Sequence, residues 1–494
     1  MTTITPASAA SSFEALSLTV PTGLWIDGAS RPASDGSSFG VLDPASGDVL
    51  AEVASASVDD ALAAVDAAAA AAVGWAAVAP RQKAEILRRA FELMIERQDD
   101  LARLITLENG KALTDARSEV VYAAEFFRWY SEEAVRIQGT VETAPSGANR
   151  IVVVHQPVGV ALLITPWNFP AAMATRKIGP ALAAGCTMVL KPASETPLTA
   201  LALVAILEEA GVPAGVVNVI PSKRSGAISS TLLADGRVRK ISFTGSTEVG
   251  RVLLELSAKT VVNASMELGG NAPFLVLESA NLDDAVAGAM VAKLRNGGEA
   301  CTAANRFFVH RSVAQEFSER LAAAMRSLVV GPGLDAATNI GPLVNEETRS
   351  KVASLVEGAV GEGAQVLVGG RSVAGAGYFY EPTVLVGVAA GSAILGEEIF
   401  GPVAPIVVFD DVAEAIRLAN STEYGLVSYV YAADLAEGLR VSEALESGMV
   451  GLNRAVVSDP AAPFGGVKQS GLGREGGHEG VLDYMESKYI AVSW

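Results

Sequence analysis

The stretch Asn296-Gly297-Gly298-Glu299-Ala300-Cys301-Thr302-Ala303-Ala304-Asn305-Arg306 holds one of only two cysteines in a chain of 494 residues. Small residues flank Cys301, so nothing bulky shields its sulfur from a ligand or from the backbone. A thiol so placed can act as a nucleophile once it loses its proton. The common alternative is a buried cysteine that packs as a small apolar side chain. Residue types alone leave both open. The other cysteine, Cys186, lies in Ala183-Ala184-Gly185-Cys186-Thr187-Met188 and reads as packing. His155, His310 and His478 lie far apart, without metal-ligand spacing, and argue against a His-based triad.

The elements that would position such a thiol alternate in type. Residues 160–164, 188–190, 216–220 and 240–243 read as strands. Residues 171–184, 198–209, 227–233 and 247–257 read as the helices between them. Repeated strand–helix units imply an α/β fold with a parallel sheet covered by helices on both faces. Such sheets bind ligands at the carboxyl ends of their strands. Thr165-Pro166-Trp167-Asn168-Phe169-Pro170 follows one strand and Lys191-Pro192-Ala193-Ser194 the next. Gly245-Ser246-Thr247-Glu248-Val249-Gly250 follows the fourth and opens a helix. The last departs from the G-x-G-x-x-G fingerprint, yet a Gly-Ser turn at a helix start offers free N–H groups to a phosphate. Three such loops, one with a lysine aimed off a strand end, point to a nucleotide site rather than to plain turns.

Upstream, residues 24–53 read as short strands broken by turns. Residues 58–75 read as an Ala-rich helix with Asp59 and Asp60 at its positive end. Residues 81–109 read as two amphipathic helices. Residues 113–138 form another, in which Phe126, Phe127, Trp129 and Tyr130 pack. Residues 150–156 read as an extended strand. Downstream, 274–277 and 306–310 read as strands, 313–328 and 346–361 as helices. Residues 484–494 alternate as a strand that needs a pairing partner, expected in another subunit.

The chain is half apolar and 19% charged, so it can bury a large core. Its net charge of −18 argues against nucleic acid or an anionic membrane as partner. Two cysteines make no disulfide framework and fit a reducing, cytoplasmic setting. The first dozen residues lack the basic start and apolar core of a signal peptide and read as a loose tail. No run appears long enough for a membrane span, the longest being strand-sized.

Seven motifs in order carry a resemblance: TPWNFP at 165–170, KPAS at 191–194, FTGSTEVG at 243–250, MELGGNAP at 266–273, the cysteine stretch, EEIFGP at 397–402 and PFGGVKQSGLGRE at 463–475. With them the chain resembles the aldehyde dehydrogenase superfamily over nearly its whole length. Within it, the chain is most similar to the succinate-semialdehyde dehydrogenases. The resemblance implies a Rossmann-type cofactor domain from residues 18–134 and 155–268, after a flexible tail at 1–17. It implies an α/β catalytic domain at 269–482. A small β oligomerisation element at 135–154 and 483–494 would serve a homodimer or homotetramer.

It also implies roles. Cys301 attacks the aldehyde carbon, and Asn168 with the Cys301 N–H stabilises the oxyanion. Glu267 is the general base that activates water against the thioester. Thr165, Pro166, Trp167, Lys191, Pro192, Ala193, Ser194, Gly245, Ser246 and Leu268 hold the dinucleotide. Glu398 and Phe400 hold the nicotinamide ribose and ring. Lys177 and Glu475 stand where the family relays protons. A non-catalytic protein on the same fold is the competing class. Retention of cysteine, amide and glutamate together argues for catalysis.

Arg176 and Arg295 occupy positions that are aromatic in members acting on apolar aldehydes. An arginine unpaired in a closing pocket is costly, so a substrate carboxylate is the expected partner. Ser458 adds a hydroxyl donor. Arg454, where no arginine is expected, leaves glutarate semialdehyde open beside succinate semialdehyde. NADP is the preferred cofactor, with NAD the weaker alternative. Ser194 replaces a glutamate that would repel a 2′-phosphate, and Lys223 and Arg224 add positive charge nearby. Glu195 is the opposing consideration. Glu299 stands where the family has Gln and is expected to point away from the sulfur. Ala303 stands where some succinate-semialdehyde dehydrogenases have a second cysteine, so no intrachain disulfide is expected.

Overall fold

The computed structural model describes residues 9–493. Five parallel strands form the centre of the first sheet, in the order Val217–Val219, Thr187–Lys191, Val160–Ile164, Val238–Thr244 and Asn263–Glu267. Val160–Ile164 and Thr187–Lys191 are buried at every position, as strands covered on both faces must be. Leu24–Ile26 and Ala29–Arg31 extend one edge, antiparallel. Gly471–Leu472 extends the other. That last strand falls within the segment assigned from sequence to the catalytic domain, yet its hydrogen bonds go to Met266 and Glu267.

Helix Pro170–Ala184 is buried along its whole length. It packs on helix Leu113–Glu133, whose Phe126, Phe127 and Tyr130 are buried as expected. Helix Val58–Ala77 begins at a capping box. Ser57 Oγ accepts from Asp60 N, and Asp60 accepts from Ser57 N at 3.0 Å. This helix corrects the reading that no run reaches membrane-span length, because by length and composition it does. Its Ala61, Ala64, Val65 and Ala68 are buried, and Thr187 Oγ1 donates to Ala68 O at 2.8 Å. One face of the helix packs on the sheet, and its alanines there admit close approach.

The second sheet has seven strands: Gln365–Val368, Thr383–Val386, Val403–Phe409, Ala304–His310, Ala272–Val276, Val427–Tyr431 and Met449–Leu452. All pairs but the first are parallel. Only the two strands flanking the cysteine stretch were expected; glycine-rich joints mask the alternation of the others.

A third sheet joins Thr140–Thr143, Arg150–Pro157 and Met485–Val492. The C-terminal strand therefore pairs along its full length with Arg150–Pro157 of its own chain, which corrects the expectation that it must find that partner in another subunit. Among the described residues no strand pairs with its outer edge. Residues 1–8 lie outside the described residues, but Ala9–Glu14 is a helix, with Phe13, Leu16 and Leu18 against the core.

Candidate active site

The nucleophile loop begins where helix Leu282–Leu294 ends. The chain turns through Asn296, Gly297 and Gly298 at φ of 55°, 62° and 84°. Glycine and asparagine enter this left-handed region most cheaply. A Cβ on Gly298 would stand 2.3 Å from the Gly401 carbonyl, so the loop lies against the segment bearing Glu398 and Phe400. On the other side, a Cβ on Gly270 would stand 2.5 Å from the Cys301 carbonyl. The LGGN turn is thus close against the cysteine.

A cavity of about 560 Å³ opens over Cys301. Asn168 lines it with the cofactor candidates Pro166, Trp167, Gly245, Ser246, Leu268, Glu398 and Phe400. Thr165, Lys191, Pro192, Ala193 and Ser194 are not among its walls, although their neighbour Glu195 is. The walls come mainly from the carboxyl ends of parallel strands, and helix Thr247–Ala258 starts at the rim with Ser246 as its cap. Size, strand ends and helix start suit a dinucleotide. Phe400 sits at φ 56° and meets Trp167 edge-on at 5.4 Å.

Cys301 is partly exposed here, yet burial pushes its thiol up to about 12. Arg176 and Arg295 oppose that rise, while Glu398 and Glu267 add to it. The Glu299 carboxylate turns away, as expected, and accepts from Val344 N at 3.0 Å. Burial pushes Glu299 itself up to about 8. Asn168 is buried, and its Nδ2 donates to the Glu299 carbonyl at 3.1 Å.

Glu267 ends its strand in a buried position, and one carboxylate oxygen has no partner. Burial, then the negative charge of Glu475, raises it well above the usual carboxylate range. Behind it, Lys177 Nζ donates to Glu475 Oε1 at 2.5 Å and to Ser242 Oγ at 2.9 Å. Despite burial, Lys177 and Arg176 together hold Glu475 below the ordinary range.

The two arginines differ. Arg176 is buried, with Nε 2.5 Å from Glu475 Oε2 and its guanidinium 4.1 Å from the Phe464 ring. The expectation of an unpaired arginine is corrected at this position. Arg295 meets it: among the described residues no carboxylate lies within ion-pair distance, and it rests on the rings of Phe169 and Tyr122 at 5.0 and 5.6 Å. Arg295 and Ser458 line one narrow recess together with Ala300 and Thr302, the two neighbours of Cys301. Arg454 is exposed and donates from Nε to its own loop at Val456 O, 2.9 Å away.

At the other end, Lys191 is buried and donates only to Pro192 O, at 3.0 Å. Burial pushes it down to about 8, with Glu195 and Lys223 acting in opposite senses. Ser194 Oγ donates to Glu195 Oε2 at 3.1 Å. Arg224 does not add charge to this end, because Asp35 takes it at 2.7 Å.

Several wall residues were not singled out from sequence. Asn345, Glu347, Thr348 and Lys351 come from the start of helix Glu346–Gly361, and Lys351 Nζ donates to the Glu398 carbonyl at 2.7 Å. An asparagine before two glutamates signals a helix start. Nothing local says that this start faces the cavity.

The pattern of the aldehyde dehydrogenase family matches residues 31–490. A succinate-semialdehyde dehydrogenase of Paenarthrobacter nicotinovorans is 57% identical over 90% of this chain and 99% of that protein. A glutarate-semialdehyde dehydrogenase of Pseudomonas putida is 50% identical over 95% of this chain and 96% of its own length. A solved structure described as an Escherichia coli NADP-dependent enzyme superposes with a TM-score of 0.95 at 49% identity, covering 96% of this chain and 98% of that one. A match of this extent, on a fold that brings Cys301 and Asn168 to one cavity with Glu267 close enough to act electrostatically on the thiol, shows that the chain belongs to the aldehyde dehydrogenase family.

Proposed function

We propose that this aldehyde dehydrogenase oxidises succinate semialdehyde to succinate, with NADP as preferred cofactor and NAD as the weaker one. The observation that carries the substrate class is Arg295. Among the described residues it has no carboxylate within ion-pair distance, and it lies beside Ser458 and the neighbours of Cys301. A substrate carboxylate resolves its charge. The printed activity of the 57% identical relative supports the same choice.

Cys301 gives up its thiol proton to Glu267, and Sγ forms a bond to the aldehyde carbon as the C=O π bond opens, giving a thiohemiacetal oxyanion; Glu267 passes that proton on before hydrolysis. Asn168 Nδ2 and the Cys301 N–H are the donors aimed at that oxygen. A nicotinamide dinucleotide, when bound, supplies the acceptor of hydride from the substrate carbon. Cys301 then carries a thioester. Glu267 takes a proton from the water that attacks it, releasing succinate and the thiol. Burial and the charge of Glu475 raise the affinity of Glu267 for protons, which strengthens it as a base. Lys177 and Glu475 lie behind it to pass the proton on. Trp167 and Phe400 hold the nicotinamide end, Glu398 the ribose, and Lys191 with Ser194 the adenosine end.

We divide the chain into a cofactor domain at 18–134 and 155–268, a catalytic domain at 269–482 and an oligomerisation element at 135–154 and 483–494; the strand Gly471–Leu472 pairs with the first sheet across that division. The outer edge of Met485–Val492, where Tyr489 and Ile490 are exposed, is the surface for a homodimer or homotetramer. Two free thiols fit the cytoplasm. Glutarate semialdehyde is the second reading, favoured by the 50% identical relative and no longer by Arg454, which turns to its own loop. Measuring kcat/KM for succinate semialdehyde, glutarate semialdehyde and an uncharged aldehyde of equal length tests the proposal. A preference for the uncharged aldehyde overturns it.

A further inference from the structure

The oxyanion donor and the nucleophile sit on different loops, and one helix face touches both. Helix Leu113–Glu133 carries Asp115 and Glu119, one turn apart on the same side. Asp115 Oδ2 accepts from Asn296 N, in the nucleophile loop, at 2.8 Å. Glu119 Oε1 accepts from Ala171 N and Ala172 N, at 2.9 and 3.3 Å, just beyond Asn168. Those two N–H groups open helix Pro170–Ala184, whose N-cap is Phe169 and offers no side-chain acceptor. Glu119 therefore caps the helix from a distance, where negative charge is favoured.

Lys111 closes the arrangement. Its Nζ donates to Glu119 Oε2 and to the Asn168 carbonyl, each at 2.6 Å. Asn296 Nδ2 donates to the same carbonyl at 2.8 Å and to the Glu299 carbonyl at 3.0 Å. Lys111 and Glu119 are almost fully buried, so water cannot replace either.

We propose that Lys111 and Glu119 are positioning residues that hold the peptide of Asn168 and thereby aim its amide at the oxygen formed on attack by Cys301. This rests on the reading of Asn168 as oxyanion donor. Neither residue touches the substrate. They act by fixing where the donor loop stands relative to the nucleophile loop, and small displacements there are expensive in rate.

Removing one charge alone strands the other in the interior and destabilises the fold. The decisive variant of the full chain is therefore Lys111→Met/Glu119→Gln, which removes both charges and nearly keeps both volumes. Expected is a fall in kcat of about 10- to 100-fold, with KM for NADP and the alkylation rate of Cys301 within about twofold of wild type. In an Asn168→Ala background the same pair should change kcat by less than about twofold, because the group it acts through is gone. Lys111→Gln/Glu119→Gln, which removes both charges but keeps a donor for the Asn168 carbonyl, should recover part of the rate, and it carries the comparison if the first double variant does not fold. Wild-type kcat in these variants, a full loss in the Asn168→Ala background, or a joint collapse of NADP binding and thermal midpoint overturns the proposal. Failure of the functional reading looks different: the wild-type chain leaves the aldehyde unoxidised, or Asn168→Ala keeps full kcat.

Discussion

Arg176 and Arg295 both act electrostatically on Cys301, but among the described residues only Arg176 has a carboxylate within ion-pair distance, Glu475, at 2.5 Å. Lys177 shares that carboxylate, and Glu267 acts electrostatically on both cations.

The two arginines should therefore separate on mutation. Arg295→Ala should raise KM for succinate semialdehyde by about tenfold or more and leave an uncharged aldehyde nearly unaffected. Arg176→Ala breaks a buried pair and should also cost about 3 kcal/mol of stability. Kinetics on both aldehydes and a denaturant titration check this. Equal effects of Arg295→Ala on both substrates would remove the carboxylate-binding role.

The resting thiol should titrate late. With Cys301 pushed up to about 12, chiefly by burial, the thiolate fraction rises through the whole range from pH 7 to 10. In cofactor-free protein, alkylation of Cys301 by iodoacetamide should grow about tenfold per pH unit over that range. Glu299→Gln should leave the profile in place, because Glu299 faces Val344 and not the sulfur. A plateau near the ordinary thiol value, followed by mass spectrometry, would contradict the burial argument.

The cysteines should divide cleanly. Cys301→Ala should abolish dehydrogenase activity and keep dinucleotide binding. Cys186 is buried and donates to Tyr484 O at 3.3 Å, so Cys186→Ala should keep turnover. After mild peroxide, thiol treatment should restore Cys301 from the sulfenic acid. A non-reducing peptide map should show no intrachain disulfide. The reverse pattern, turnover lost in Cys186→Ala and kept in Cys301→Ala, would end the assignment.

Cofactor choice should follow the residues after the second parallel strand. Ser194→Glu should lower the NADP-to-NAD ratio of kcat/KM by about tenfold or more, since a second carboxylate would face a 2′-phosphate. Glu195→Gln should move the ratio toward NADP, because Glu195 lines the cavity and holds the Ser194 hydroxyl. A wild-type preference for NAD, or an unmoved ratio in Ser194→Glu, refutes the assignment.

Local chemistry in the sequence was enough for the parallel sheet around Val160–Ile164, the loops at its strand ends and the cysteine stretch. These signals lie within short windows: apolar runs, glycine turns and small residues around a thiol. The second sheet was less legible, because Thr383–Val386, Val403–Phe409, Val427–Tyr431 and Met449–Leu452 become a sheet only through partners far away in the chain. The same limit applies to charge. Sequence showed that Arg176 and Arg295 stand where carboxylate recognition is possible. Only the tertiary structure decided that Glu475, some 300 positions further on, takes Arg176, and that among the described residues no carboxylate comes within ion-pair distance of Arg295. It likewise decided that Arg224 goes to Asp35, and that one helix holds both loops of the site. Side-chain pairing depends on distances through space, and residue order alone does not encode them.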